Sequence, residues 1–441
     1  MAAKKYFYRR IDSELLSWSK DTNRKVLLLR GARQVGKSSA VRHLAKSFQY
    51  FVEINFEDTE EQVNHLFLPG VSPQEICMKL SALVQIPIVP GKTLLFLDEI
   101  QAYIPAISKL RFFYENYPEL HVIAAGSLLE FAIEEIPSFG VGRITSLFMY
   151  PFSFEEFLRA SGNETWVHAY REAVPQKSLF GALHTQIVKQ LNIFFLIGGM
   201  PEVVAEYVQN KDLLRCQAIL NSLLVSFRSD FAKYKSRMPA TRVNEVFESV
   251  AHQAQGKFVY ERASTQASNV QVKQALDLLI QAGLVYPVTH TGANGIPLGA
   301  ESNPKFQRML LFDTGLFQRI LDLDVSSILL ADNFKAINRG ALAELFVGLE
   351  LIKGSSCYNP VSLYCWQREK RQGSAQIDFV IQRNEQIVPI EVKAGTQGAM
   401  QSLRWFMKEK NINKGVRTSL ENFAQYENIE VYPLYAISNL C

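Results

Sequence analysis

One stretch, Gly31-Ala32-Arg33-Gln34-Val35-Gly36-Lys37-Ser38, constrains this chain more than any other. It fits G-x-x-x-x-G-K-[ST], with the apolar run Val26–Arg30 before it and a helix-like stretch, Ser38–Phe48, after it. That context predicts a strand, a tight loop and a helix. The glycines let the backbone approach phosphate oxygens, and the loop amides form an anion nest at a helix N-terminus. Lys37 is expected to reach the β- and γ-phosphates of a nucleotide. Ser38 is expected to offer its hydroxyl to Mg²⁺, and Gly31 through Ser39 are expected to bind the nucleotide. The bland alternative is a glycine turn with an incidental lysine.

A second apolar run, Leu94-Leu95-Phe96-Leu97, ends in Asp98-Glu99. Beside a phosphate-binding loop, Asp98 is expected to hold Mg²⁺ through water and Glu99 to orient the attacking water, which argues for hydrolysis. Ala124-Ala125-Gly126-Ser127 ends the next apolar run. Ser127 would sense the γ-phosphate or cap the following helix. Arg143, after Gly142, would neutralise transition-state charge from its own chain or a neighbouring one, or form a surface ion pair. Arg33 competes for the same role.

Around these motifs, short apolar runs (Val26–Arg30, Phe51–Asn55, Thr93–Leu97, His121–Ala125) alternate with helix-like segments such as Pro73–Gln85. That alternation predicts a parallel α/β sheet covered on both faces. From Phe154 to about Arg237 helical patterns dominate, broken at Gly198-Gly199-Met200-Pro201. Between Tyr260 and Thr289 an amphipathic helix, Gly283 and a strand-like Leu284-Val285-Tyr286 suggest a winged helix-turn-helix. Its neutral helix, with Lys273 and Asp277, fits a joint or protein contact better than a groove reader. The 441 residues are 48% hydrophobic and 20% charged, which excludes disorder over most of the length. No apolar run reaches the roughly 18–20 residues of a membrane span. Five scattered cysteines and a basic, aromatic N-terminus fit a cytoplasmic protein without a zinc site, disulfide framework or secretory signal. The net charge of +4 neither requires nor excludes a nucleic-acid partner.

The last quarter carries a second constellation. Ile377-Asp378-Phe379-Val380-Ile381 is followed by a turn and by Ile390-Glu391-Val392-Lys393-Ala394-Gly395. Residues two apart in a strand share a face, so Glu391 and Lys393 should project together, with Asp378 beside them on the neighbouring strand. Two carboxylates and an ammonium suit a hard cation and a lysine that positions water for attack on a phosphodiester. Glu344, on a preceding helix, would complete the cation site. The bland reading is a solvated hairpin face with a cross-strand ion pair. Arg368, Lys370 and Arg371 beside the hairpin add a faint electrostatic footprint for DNA.

Taken together, the G-A-R-Q-V-G-K-S loop, L-L-F-L-D-E-I-Q, A-G-S, the G-R before P-F-S-F-E-E-F, G-G-M-P-E, and I-D-F-V-I with I-E-V-K-A-G resemble one family. It is that of the prokaryotic AAA-type ATPases with a C-terminal domain similar to the PD-(D/E)XK nuclease superfamily. The resemblance implies an α/β fold in four parts: a P-loop ATPase core over 1–150, a helical lid over 151–237, a winged helix over 238–320 and a nuclease-like α/β domain over 331–441. It implies ATP and Mg²⁺ as cofactors. Lys37, Ser38, Asp98 and Glu99 would serve the ATPase, and Glu344, Asp378, Glu391 and Lys393 a nuclease-type site. Gln376 stands where the family often has an acid, which weakens a second metal position. The function implied is ATP turnover coupled to nucleic-acid binding or cleavage; the alternative is a nucleotide-dependent switch or scaffold that binds without cutting. The partner classes left open are DNA, a protein bound through the winged helix and a second copy of the chain. A membrane is not expected.

Overall fold

The computed structural model describes residues 5–127, 129–134, 136, 140, 142–234, 238–323, 339–368, 375–396 and 398–441. The expected boundaries at 237 and 331, and the basic residues Lys370 and Arg371, lie outside them. The chain packs as two units, Met1–Pro151 with Ser356–Pro360, and Phe152–Ser355 with Val361–Cys441.

The first unit is built on β1 (Val26–Arg30), β2 (Tyr50–Asn55), β3 (Thr93–Asp98), β4 (His121–Ala125) and β5 (Ile144–Phe148). They form one parallel sheet in the order β2-β3-β4-β1-β5. Every residue of β3 and β4 is buried, as expected of central strands covered on both faces. Helices Lys37–Ala45, Pro73–Val84 and Ile104–Asn116 supply the crossovers that parallel neighbours require. Ser72 caps the second of these by accepting from Glu75 N at 3.2 Å, with Pro73 at its first position. β5, not anticipated from the pattern, is an edge strand with a single fully buried residue. Phe148 N donates to Cys357 O at 2.8 Å, so the segment 356–360 folds against this edge.

The second unit opens with helices from Phe154–Ala160 to Leu213–Asp230. Ser153 and Glu156 form a reciprocal capping box at the first of them. The Gly198-Gly199 break has a packing cause. Gly198 sits at φ 69°, where a Cβ would lie 2.2 Å from Asp313 Oδ1, and Gly199 N donates to Asp313 Oδ2 at 2.6 Å. Helices Ala240–His252, Tyr260–Ala263 and Asn269–Gln281 precede a hairpin of β6 (Val285–Thr291) and β7 (Ser302–Leu311). After helix Arg339–Gly354 come β8 (Leu363–Gln367), β9 (Gln376–Arg383), β10 (Gln386–Val392), β11 (Gly415–Ser419), β12 (Ala424–Tyr426) and β13 (Ile429–Pro433), with helix Gln401–Glu409 after β10.

These eight strands make one mixed sheet, β12-β13-β11-β10-β9-β8-β6-β7. The hairpin is therefore continuous with the C-terminal strands, because β6 pairs parallel with β8 from Val288↔Leu363 to His290↔Cys365. This differs from the expected arrangement of a joint over 238–320 and a separately folded domain after it. The backbone groups of β6 are shared between two neighbours, so only β7 presents an open edge on that side. Helix Arg339–Gly354 packs on β7 and β10 and is buried over most of its length.

Candidate functional site

The strand order puts β4 between β1, which leads into the glycine loop, and β3, which ends at Asp98. The loop, the two acids and Ser127 thus emerge from three adjacent strand ends. Gly31 (φ 138°) and Gly36 (φ 101°) adopt backbone conformations that favour glycine. A Cβ on Gly31 would lie 2.1 Å from Met149 O, so the loop closes against the chain after β5 only because this residue has no side chain. Gln34 is left-handed as well, at φ 64°.

Lys37 opens the helix from a buried position and donates from Nζ to Gly31 O and Ala32 O, each at 2.8 Å. Burial holds its ammonium down to about pKa 8, against the pull of Glu99 and Asp98. A buried lysine turned onto loop carbonyls is ready to exchange them for phosphate oxygens. Ser38 Oγ donates to Asp98 Oδ2 at 2.7 Å, which brings the two expected magnesium residues together. Burial raises the Asp98 carboxyl, and the Ser38 hydrogen bond opposes that shift. Ala32 and Val35 are buried beneath the loop, while Ser39 is exposed on the first helical turn. These features fit Mg²⁺ and a nucleotide triphosphate: a glycine cradle, a buried ammonium and a hydroxyl–carboxylate pair.

Glu99 sits in the left-handed region at φ 47°, directly after the strand. Gln101 Nε2 donates to Glu99 Oε2 at 2.6 Å. A Cβ on Gly126 would lie 2.0 Å from Gln101 Oε1, so the glycine before Ser127 leaves room for the amide that holds Glu99. Ser127 is buried at the end of β4. Arg143 Nε pairs with Glu115 Oε1 at 2.8 Å on helix Ile104–Asn116. Arg33 lies 3.7 Å from Glu57.

Two residues here were missed by sequence reasoning. Gln101 is one. Arg9 is the other: it is buried and donates to Val35 O at 3.0 Å and to Tyr150 O at 2.6 Å, tying the N-terminal segment to the glycine loop. The only signal in the sequence was an arginine ahead of the first helix, which reads equally well as solvated charge.

In the second unit, Glu391 and Lys393 do project together, with Lys393 Nζ 2.7 Å from Glu391 Oε1. Asp378 faces the same strand, accepting from Val392 N at 2.8 Å. Glu344 joins them through a residue not singled out from sequence, Arg308 on β7. Its Nη1 lies 3.0 Å from Glu344 Oε2 and 3.7 Å from Asp378 Oδ1, and its Nη2 donates to the Asp378 carbonyl. Gln255 donates to Glu344 Oε1 at 3.2 Å and Gln376 to Asp378 Oδ1 at 3.5 Å. Burial raises all three carboxyls; Asp378 adds to the shift of Glu344, and Arg308 opposes it at Glu344 and Asp378.

The expected cation site therefore takes a different form. Five of the six carboxylate oxygens face a donor from the protein, and only Glu391 Oε2 is buried without a hydrogen-bond partner. Among the described residues no three His, Cys, Asp or Glu side chains are placed to hold one metal ion. The donor set as arranged does not fit a divalent cation. Arg368, the described member of the basic cluster, stacks its guanidinium 3.6 Å from the Trp405 ring centre. No described helix is long and apolar enough to cross a membrane.

Residues 23–158 match the family described as an AAA domain. Residues 188–327 and 339–437 match two domains of unknown function, DUF8612 and DUF4143. No curated protein matches the chain. Similar solved structures include a signal-transduction ATPase with numerous domains (STAND) and a tetratricopeptide-repeat sensor, from Pyrococcus horikoshii. It is 11% identical, with 79% of this chain and 46% of that chain covered and a TM-score of 0.28. They also include a RuvB variant of Thermotoga maritima (13% identity, 63% and 89% covered, TM-score 0.29) and Pif1 from a Bacteroides species (14%, 39% and 48%, 0.22). This chain spans less than half the length of the STAND relative, and TM-scores this low carry no argument about activity. The domain match and the loop geometry agree on one statement: the chain carries an AAA-type P-loop ATPase domain over residues 23–158.

Proposed function

We propose that the chain hydrolyses Mg-ATP at this loop and uses the nucleotide state to control nucleic-acid binding by its second unit. The observation that carries the first half is the 2.7 Å hydrogen bond between Ser38 and Asp98, with Glu99 next in sequence and held by Gln101. The loop amides and Lys37 bind and orient the triphosphate. Ser38 and Asp98 are the residues that would hold Mg²⁺, which when bound supplies charge neutralisation at the phosphates. Glu99 orients the attacking water and accepts its proton, and Gln101 fixes the rotamer of Glu99. Lys37→Ala should weaken triphosphate binding. Glu99→Gln should keep binding and slow turnover by at least roughly 10²-fold, the usual scale for a general base. Wild-type turnover in Glu99→Gln would remove Glu99 from this role.

For the second unit, cleavage by Asp378, Glu391 and Lys393 is the reading of the motif, and binding without cleavage is the reading that buried Arg308 favours. Incubation of the purified chain with plasmid, linear and single-stranded DNA, with Mg²⁺ or Mn²⁺ and with or without ATP, separates them. Binding without new ends is the expected result. Cleavage lost in Glu391→Gln would restore the first reading.

A further inference from the structure

The carboxylate cluster of the second unit has a charge inventory that can be read group by group. Glu344, Asp378 and Glu391 bring three carboxylates from one helix and two strands, and Arg308 and Lys393 bring two cations; buried Arg417, beside Glu391 on β11, has its own carboxylate in Glu421 at 3.3 Å and adds no net charge. Arg308 is only 4% exposed and its guanidinium also lies over the Phe379 ring, 5.6 Å from the centre. One arm, Nη1, lies between a carboxylate on the helix, Glu344, and one on the sheet, Asp378, while the other arm, Nη2, is anchored on the Asp378 backbone carbonyl, so the guanidinium sits where a bridging metal would otherwise sit. Mg²⁺ demands near-octahedral oxygen ligands at short range, and here five of the six carboxylate oxygens face N–H donors, leaving Glu391 Oε2 as the one without a partner.

We infer that the guanidinium of Arg308 is the built-in cation of this cluster, standing in place of a divalent metal ion between Glu344 and Asp378. The unit then keeps the strand-and-carboxylate frame of a nuclease-type site while needing no metal to hold it. Removing the guanidinium leaves three carboxylates and one ammonium, an inventory matched by one divalent cation. Arg308 is thus the single residue that separates a fixed ion-pair cluster from a cation-binding one. A lysine in its place keeps the charge and still repels a metal, although it loses the fork.

The inference deepens the binding reading given above and rests on that assignment of the cluster, so its test reads metal rather than activity. The probe is Mn²⁺ alone, with free ion counted by electron paramagnetic resonance, on the full chain carrying Asp98→Asn so that the loop site contributes nothing. Without Arg308 substitution, and with Arg308→Lys, no Mn²⁺ should be retained. Arg308→Met should hold Mn²⁺ with a dissociation constant on the order of 10⁻⁴–10⁻³ M, the weak end of oxygen-ligand sites, and Glu391→Gln added to it should abolish that binding. Retention by the Arg308 protein that Asp378→Asn removes would overturn the inference, as would a folded Arg308→Met protein that holds none. Should Arg308→Met fail to fold, the Arg308 arm decides alone: retention sensitive to Asp378→Asn overturns, none supports. DNA binding measured on the same samples tests the binding reading separately, since its loss leaves the Mn²⁺ result standing.

Discussion

Lys37 shows how burial and function are linked in one side chain. The loop buries its ammonium so thoroughly that desolvation outweighs the attraction of Glu99 and Asp98 and brings the pKa to about 8. A triphosphate favours the charged form, so above that pH nucleotide binding must take up a proton. Affinity should be flat below about pH 8 and fall above it, by up to about tenfold per pH unit. A titration with a fluorescent ATP analogue from about pH 7 to about pH 9.5 checks this, and an unchanged dissociation constant across that range would refute it. At the same scale, lysine, serine, aspartate and glutamate were all legible because their spacing is fixed by local backbone geometry. Gln101 and Arg9 were not, because their partners are a glutamate rotamer and a loop carbonyl that acquire positions only in the folded unit.

Among the elements, helix Arg339–Gly354 carries the most chemistry. Besides Glu344 it holds Glu350, buried, whose two oxygens both accept from Phe154 N at 3.2 Å, with Lys353 Nζ 3.7 Å away. Burial pushes Glu350 up to about 7 even against Lys353 and that hydrogen bond. A carboxyl with a folded pKa above its unfolded one binds its proton more tightly when folded. Its stabilising contribution is therefore complete below about pH 4.5 and is lost as pH rises through about 7. Glu350→Gln removes this titration. Between about pH 5 and about pH 8 the variant should gain on the wild type by roughly 2–3 kcal/mol, at about 1.4 kcal/mol per pKa unit. Thermal unfolding curves with parallel pH dependence in the two proteins would contradict it. A helix carrying Glu344 was legible ahead of the strands, since a long apolar stripe at helical spacing is a local signal.

At the scale of the whole molecule, two sheets on one chain carry two kinds of site. ATP can change what the second unit binds only if it has different affinities for two states of the chain. The expected outcome is a change in DNA affinity of roughly 5–150-fold between ATP and ADP, the usual range of coupling free energies. Filter binding with labelled DNA measures it, and equal affinity with ATP, ADP and no nucleotide would mean two unlinked activities.

What the sequence determined by itself was whatever depends on neighbours in the chain. β1 and β4 run over the residues the pattern marked, the glycine loop has its predicted backbone, and Glu391 meets Lys393 because alternate residues of a strand share a face. Tertiary structure alone decided what depends on sheet order and burial. β7 and β9 are separated by β8 and β6, roughly 14 Å in a flat sheet, yet in the folded unit Arg308 reaches Asp378. That contact has no signature in spacing, and it puts a guanidinium beside two of the carboxylates expected to hold a cation. Edge strand β5 and the continuity of the hairpin with the C-terminal strands were hidden for the same reason: a strand's pattern records which face is buried, not which strand lies beside it.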